Sequence, residues 1–89
     1  MRKFELKPEL EKTLKKLHKK DKRLYEQILK KIEEIINSYN IENYKNLRHN
    51  MKDSKRVHIG HFVLVFSYNK TRDLVSFEYL DHHDKIYLW

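Results

Sequence analysis

After a short alternating start, hydrophobic spacing in this chain of 89 residues passes from a helical to a strand period, and that change is its strongest constraint on fold. From Leu10 to Tyr39 apolar side chains recur every three or four positions. From Val57 onward they fall into short, dense runs separated by polar turns. A helical period followed by a strand period reads as α+β, with helices packed on one face of a small, largely antiparallel sheet.

The chain begins with an alternating stretch over residues 2–6, with Phe4 and Leu6 on one side and Lys3 and Glu5 on the other. This predicts a short strand, at an edge or paired with a later one. Pro8 suits a first helical position, and Glu9 and Glu11 suit a first turn, where the helix dipole favours acids. Leu10, Leu14 and Leu17 then mark one helical face over about 9–19. Asp21 is placed to cap a restart. Leu24, Ile28, Ile32 and Ile35 or Ile36 carry a second helix over 22–38. Two helices in an antiparallel hairpin fit this pattern; so does one long helix, because the break carries neither Gly nor Pro.

Residues 40–55 are rich in Asn, which favours caps and turns, and predict a connector. Arg56 to Ile59 alternates, Gly60-His61 fits a tight hairpin turn, and Phe62 to Phe66 is apolar on both faces, as in a central strand covered on both sides. Tyr68 to Asp73 reads as a turn and Leu74 to Leu80 as the last long strand. The length suits a single domain over residues 1–89.

Charge is distributed unevenly. Residues 1–55 hold 16 of the 20 Lys and Arg and 9 of the 13 Asp and Glu, so the whole excess of +7 lies in the first part of the chain. Such a surface is either a solvated helical face or a polyanion-binding one. Lys45, Arg48, Lys52 and Lys55 in the connector are the candidate phosphate contacts. Cysteine is absent, which removes thiolate chemistry and disulfides and fits a cytoplasmic protein. No apolar run approaches the length of a membrane span.

Five of the six histidines lie between His49 and His83. His58 and His61 open the strand-rich part, and Asp81-His82-His83-Asp84 closes it. Histidine titrates near neutral pH, and a carboxylate beside it can fix its tautomer. RNA carries its own nucleophile in the 2′-hydroxyl, so its cleavage needs only a base, a phosphate clamp and an acid. Histidine, Arg or Lys, and Tyr supply all three without a metal or other cofactor. Asp-His-His-Asp also has metal-ligand types, but neighbours on a strand point to opposite faces, which sets His82 and His83 against a shared ion.

Arg56-x-x-x-Gly60 with apolar residues between and after, followed by His82-His83-x-x-Ile86-Tyr87, resembles the RelE/ParE superfamily of toxins from toxin–antitoxin systems. The order of strand, helical hairpin, basic connector and antiparallel strands is similar too, over essentially the whole chain. The resemblance implies a ribosome-dependent endoribonuclease that cleaves mRNA, with a cognate antitoxin (RelB-like) covering its basic surface. Arg56, Gly60 and Tyr87 fall on positions of the family pattern. Val63 stands where RelE-type members usually place a second arginine, and His83 stands where they often have one near the end. The histidine set, His58, His61, His82 and His83 with Asp81, is more similar to the branch of the superfamily in which histidine does acid–base work.

Two classes of function follow. In the first, His82 or His83 acts as acid or base, Tyr87 assists, and Arg56 with the connector cations binds phosphate. In the second, the chain is a non-enzymatic relative: a ParE-type inhibitor of DNA gyrase or an inactive partner-binding domain. A plain RNA-binding domain is a further outsider.

Overall fold

A computed structural model of the chain describes residues 2–47 and 54–86. Its elements run β1 (Lys3–Leu6), α1 (Pro8–Lys20), α2 (Lys22–Ile36), a single 3-10 turn (Ile41–Asn43), β2 (Ser54–Ile59), β3 (Phe62–Asn69), β4 (Leu74–His82) and α3 (His83–Ile86). The four strands form one sheet in the order β1-β4-β3-β2. The β2–β3 and β3–β4 pairs are antiparallel, and β1 joins β4 in parallel at the edge.

Two helices form rather than one because Asp21 leaves helical geometry, at φ −147° and ψ 80°. Its carboxylate accepts from the amide of Leu24 at 3.1 Å, restarting the helix with one of its otherwise unsatisfied donors occupied. Pro8 stands at the start of α1 and Glu9 and Glu11 in its first turn, as the spacing requires. The second helix stops at Ile36, short of residue 38, because Asn37 takes the C-cap position.

The helices bury Leu10, Leu14, Ile28, Ile32 and Ile35 against Ile59, Leu64, Phe66, Val75, Phe77 and Leu80 of the sheet. A second, smaller cluster lies on the other face, where Val63 and Val65 meet Leu47 and Ile86. The doubly apolar run of β3 is explained by these two covers, the helical hairpin on one side and α3 with the end of the connector on the other.

Three boundaries in the last three strands also differ from the expected ones. β2 begins at Ser54 because Lys55 bridges back to Asn46, and the amide of Leu47 donates to Ser54 O at 2.7 Å. β3 runs on to Asn69, so the turn shrinks to residues 70–73. β4 runs through His82, whose residue pairs with Phe62.

Gly60 opens the β2–β3 turn with φ +61°, and the only other residue in that region among those described is Asp73. A two-residue turn with positive φ at its first position alone matches the right-handed twist of the flanking strands. A Cβ added at Gly60 would have no heavy atom within 4 Å, so only backbone strain opposes it. Gly60→Ala is therefore expected to lower stability by about 1–2 kcal/mol, read from the urea midpoint.

Candidate active site

Strand register decides which side chains share a face. Arg56 pairs with Val65 and His58 with Val63 on one side of β3; Tyr79 and Asp81 pair with the same two valines on the other. Directly opposed residues project from the same side of a sheet, so Arg56, His58, Tyr79 and Asp81 surround the valines on the face away from the helical hairpin. The short helix α3 lies over this face, anchored by the fully buried Ile86. Its first residue, His83, meets His58 with ring centroids 5.6 Å apart and planes tilted by 34°.

His82 goes to the opposite face, as alternation along a strand demands. There it meets His61 with centroids 6.1 Å apart and rings near parallel, and the edge of Phe62 at 5.8 Å. The four histidines therefore form two pairs on two faces, and only His58 and His83 share the face that carries Arg56. His61 still supports that face through its backbone, whose carbonyl accepts from the amide of His83 at 2.8 Å.

Carboxylates divide their roles differently from the expected pattern. Asp81 accepts from the neighbouring amide of His82 at 2.7 Å and so caps the end of the strand. The carboxylate near both imidazole pairs is that of Asp84. It lies 3.5 Å from His83 Nδ1 and 3.7 Å from His82 Nδ1. A carboxylate facing Nδ1 favours a proton there and so helps to orient the His83 ring.

Positive charge gathers around His58. Though exposed, its imidazole is held below its ordinary range, first by the slight desolvation its neighbours impose and then by Arg56, His83 and Lys45. Neutral imidazole is thus the favoured form near pH 7, which is the form a general base needs.

The connector is fixed at the outer edge of β2 by two successive side chains that leave on opposite faces. Arg56 Nε donates to Asn46 O at 3.1 Å, while Lys55 Nζ donates to Tyr44 O at 3.2 Å and Asn46 Oδ1 at 3.1 Å. Lys45 is thereby brought to the His58 face, whereas the ammonium of Lys55 serves the other side of the segment. Arg48, Lys52 and Tyr87 lie outside the described residues.

Tyr79 is an addition that the sequence pattern hid. It is 42 % exposed on the His58 face. Simple alternation from Val75 and Phe77 would bury it against the helices. A bulge in β4 prevents this: Phe66 pairs with Phe77 but Val65 pairs with Tyr79, so Glu78 is an extra residue. Its carboxyl is raised above the ordinary range, mainly by burial, with Glu5 adding to the rise and Lys7 opposing it.

No protein-family model matches the chain. Among solved structures, the isolated E. coli RelE toxin superposes with a TM-score of 0.69 at 21 % identity, covering 92 % of this chain and 84 % of that one. That likeness carries the fold: strand, helical hairpin and mixed sheet. Among curated proteins, an uncharacterised protein of Methanosarcina mazei is 48 % identical over 85 residues, covering 94 % of this chain and 96 % of its own. A protein of Methanocaldococcus jannaschii bearing the name "Putative toxin RelE4" is 50 % identical over 88 residues, covering 98 % of this chain and 92 % of its own. Half of the residues are thus shared with a RelE-named relative across nearly the full length of both chains, and the chain belongs to the family of RelE-like toxins.

Proposed function

We infer that this chain is the toxin of a toxin–antitoxin pair and an endoribonuclease that cuts mRNA on the ribosome, working as one domain in the cytoplasm. The observation that supports it most is the opposition of two imidazoles, His58 and His83, 5.6 Å apart on a sheet face that also carries the charges of Arg56 and Lys45.

The chemistry follows from the positions. His58, neutral near pH 7, takes the proton of an RNA 2′-hydroxyl. The 2′-oxygen attacks the adjacent phosphorus and forms a P–O bond while the bond to the 5′-oxygen breaks. His83, oriented by Asp84, gives a proton to that leaving oxygen. The products are a 2′,3′-cyclic phosphate and a 5′-hydroxyl. Arg56 and Lys45 stabilise the charge that builds on the phosphate oxygens. His82 and Asp81 position the end of β4, and Tyr87 continues the chain beyond α3 as a further acid–base or orienting group. A segment of a cognate, RelB-like antitoxin, acidic or amphipathic, would cover the basic surface and silence it.

Purified translating ribosomes give the test. With the parent protein, mRNA should be cut on the ribosome, and the cut ends should carry a 5′-hydroxyl and a 2′,3′-cyclic phosphate or its hydrolysis product. A parent that leaves mRNA whole and instead blocks supercoiling by DNA gyrase would assign the chain to the gyrase-inhibiting branch.

A further inference from the structure

A depression of about 590 Å³ lies at the outer edge of β2, lined by Glu42, Tyr44, Lys45, Asn46, Lys55, Tyr68 and Lys70, with Lys55 and Tyr68 on the sheet face opposite His58. The proposed cleavage chemistry uses only Lys45 of these. Three lysines against one glutamate make the groove cationic, and two tyrosine rings give it apolar walls. Both rings are held in place. Tyr44 stands edge-on to the buried Phe66 with centroids 5.5 Å apart, and Tyr68 donates its hydroxyl to Asp73 at 2.6 Å under the guanidinium of Arg2. Asn46 accepts through Oδ1 from Lys55, which leaves its NH₂ group to meet an acceptor.

Basic side chains interleaved with fixed aromatic rings are the requirements of a single-stranded nucleic-acid site, with phosphates held by charge and bases by ring contact. Lys45 links the groove to the cleavage face around the edge of β2: it lines the groove, and its neighbour Asn46 is held by Arg56 of the His58 face through Arg56 Nε to Asn46 O. We propose that this groove is a binding subsite for a nucleotide flanking the cleaved bond, so that one RNA strand passes from His58 and His83 over Lys45 and around the edge of β2. The subsite takes its place on the strand from the ribonuclease reading above.

The salt bridge at the rim sets the test. Lys70 Nζ faces Glu42 Oε1 at 3.8 Å, with the lysine side chain 81 % exposed and the glutamate 56 %. An exposed pair like this adds little to folding. A phosphate entering the groove competes with Glu42 for Lys70. Removing the competitor should strengthen binding, and reversing the lysine charge should weaken it.

The probes are uncleavable 2′-O-methyl RNAs of about three and six nucleotides, added to the ¹⁵N-labelled full chain. The longer probe should bind about tenfold more tightly, within the range of one stacked base. It alone should shift the amides of Tyr44 to Asn46 and of Lys70. Lys70→Glu should remove most of that gain, and Glu42→Gln should enlarge it. Equal affinity for the two probes with silent groove amides overturns the proposal, as does a pair of variants that move binding in the same direction. A polyglutamate peptide that displaces the longer RNA from the groove at lower concentration overturns it in favour of a protein partner. If the groove amides respond as described while mRNA on ribosomes stays whole, the nucleotide site stands and the cleavage reading falls by itself. If mRNA is cut and only His58 and His83 respond, the groove proposal falls by itself.

Discussion

Replacing His83 with alanine is expected to slow cleavage of mRNA on translating ribosomes by about 10²–10⁴-fold, the usual contribution of one general acid or base. The side chain is 52 % exposed at the start of α3, so the substitution leaves both hydrophobic clusters untouched and the fold intact. His58→Ala should cost a similar factor, and the double variant little more than either alone, because an acid and a base acting in one step fail together. Tyr87→Phe should fall in the same range if that residue joins the proton transfers. The pH profile separates His58 from a bystander. Its imidazole is held below the ordinary value of 6.5, first by slight desolvation and then by Arg56, His83 and Lys45, so the acid limb of the profile should lie below 6.5. Folding is linked with the same sign. Unfolded, His58 takes up its proton near 6.5, and folded it does so at lower pH. Between those values the unfolded state binds more protons, so stability drops as pH falls through that window. Cleavage by both single variants at the parental rate would sink the assignment of His58 and His83, and cut ends carrying a 5′-phosphate and a 3′-hydroxyl would replace the 2′-hydroxyl transfer.

How much of this was legible in the sequence depends on the kind of signal. Periodicity located both helices and the three strands after Arg56, since Leu10, Leu14, Ile28 and Ile32 repeat at helical spacing and all are buried. The doubly apolar Phe62 to Phe66 told correctly of covers on both faces. The pairing of the histidines was not legible. The sequence showed two clusters at the ends of the strand-rich part and set His82 and His83 on opposite faces, but only the register pairs His83 with His58 and His82 with His61. Nor could the sequence show the bulge at Glu78, because an extra residue in a mostly apolar strand leaves no compositional mark. That bulge alone turns Tyr79 outward and Leu80 inward. The helix α3 escaped for a different reason: four residues are too few to show a period, and Ile86 holds them through a long-range contact. The clamp of Lys55 and Arg56 on Asn46 is likewise tertiary, joining residues about ten apart through a loop.

Phe66→Ala is expected to be the most damaging single substitution for stability. Phe66 is fully buried at the centre of β3, within reach of the rings of Tyr44 at 5.5 Å and Phe77 at 5.9 Å. Truncating a buried phenylalanine costs about 3–5 kcal/mol, from lost transfer energy and from the cavity left behind. Small domains hold only about 5–15 kcal/mol in total, so this removes at least about a fifth of the whole. Thermal unfolding should fall on the order of 20 °C. The loss also reaches the site along a stated path. Tyr44 rests edge-on against Phe66, and the backbone after Tyr44 carries Lys45 and Asn46, which Lys55 and Arg56 hold against β2. Removing the ring should therefore loosen the connector before the sheet melts. Amide exchange at Lys45 to Leu47 should rise more than exchange in β3 and β4 under conditions where the variant remains folded. Phe66→Leu, which keeps much of the volume, should restore most of the midpoint and the slow exchange. If Phe66→Ala unfolds within a few degrees of the parent, the centre of the core lies elsewhere. If exchange rises evenly across the sheet, the connector does not depend on the Tyr44–Phe66 contact.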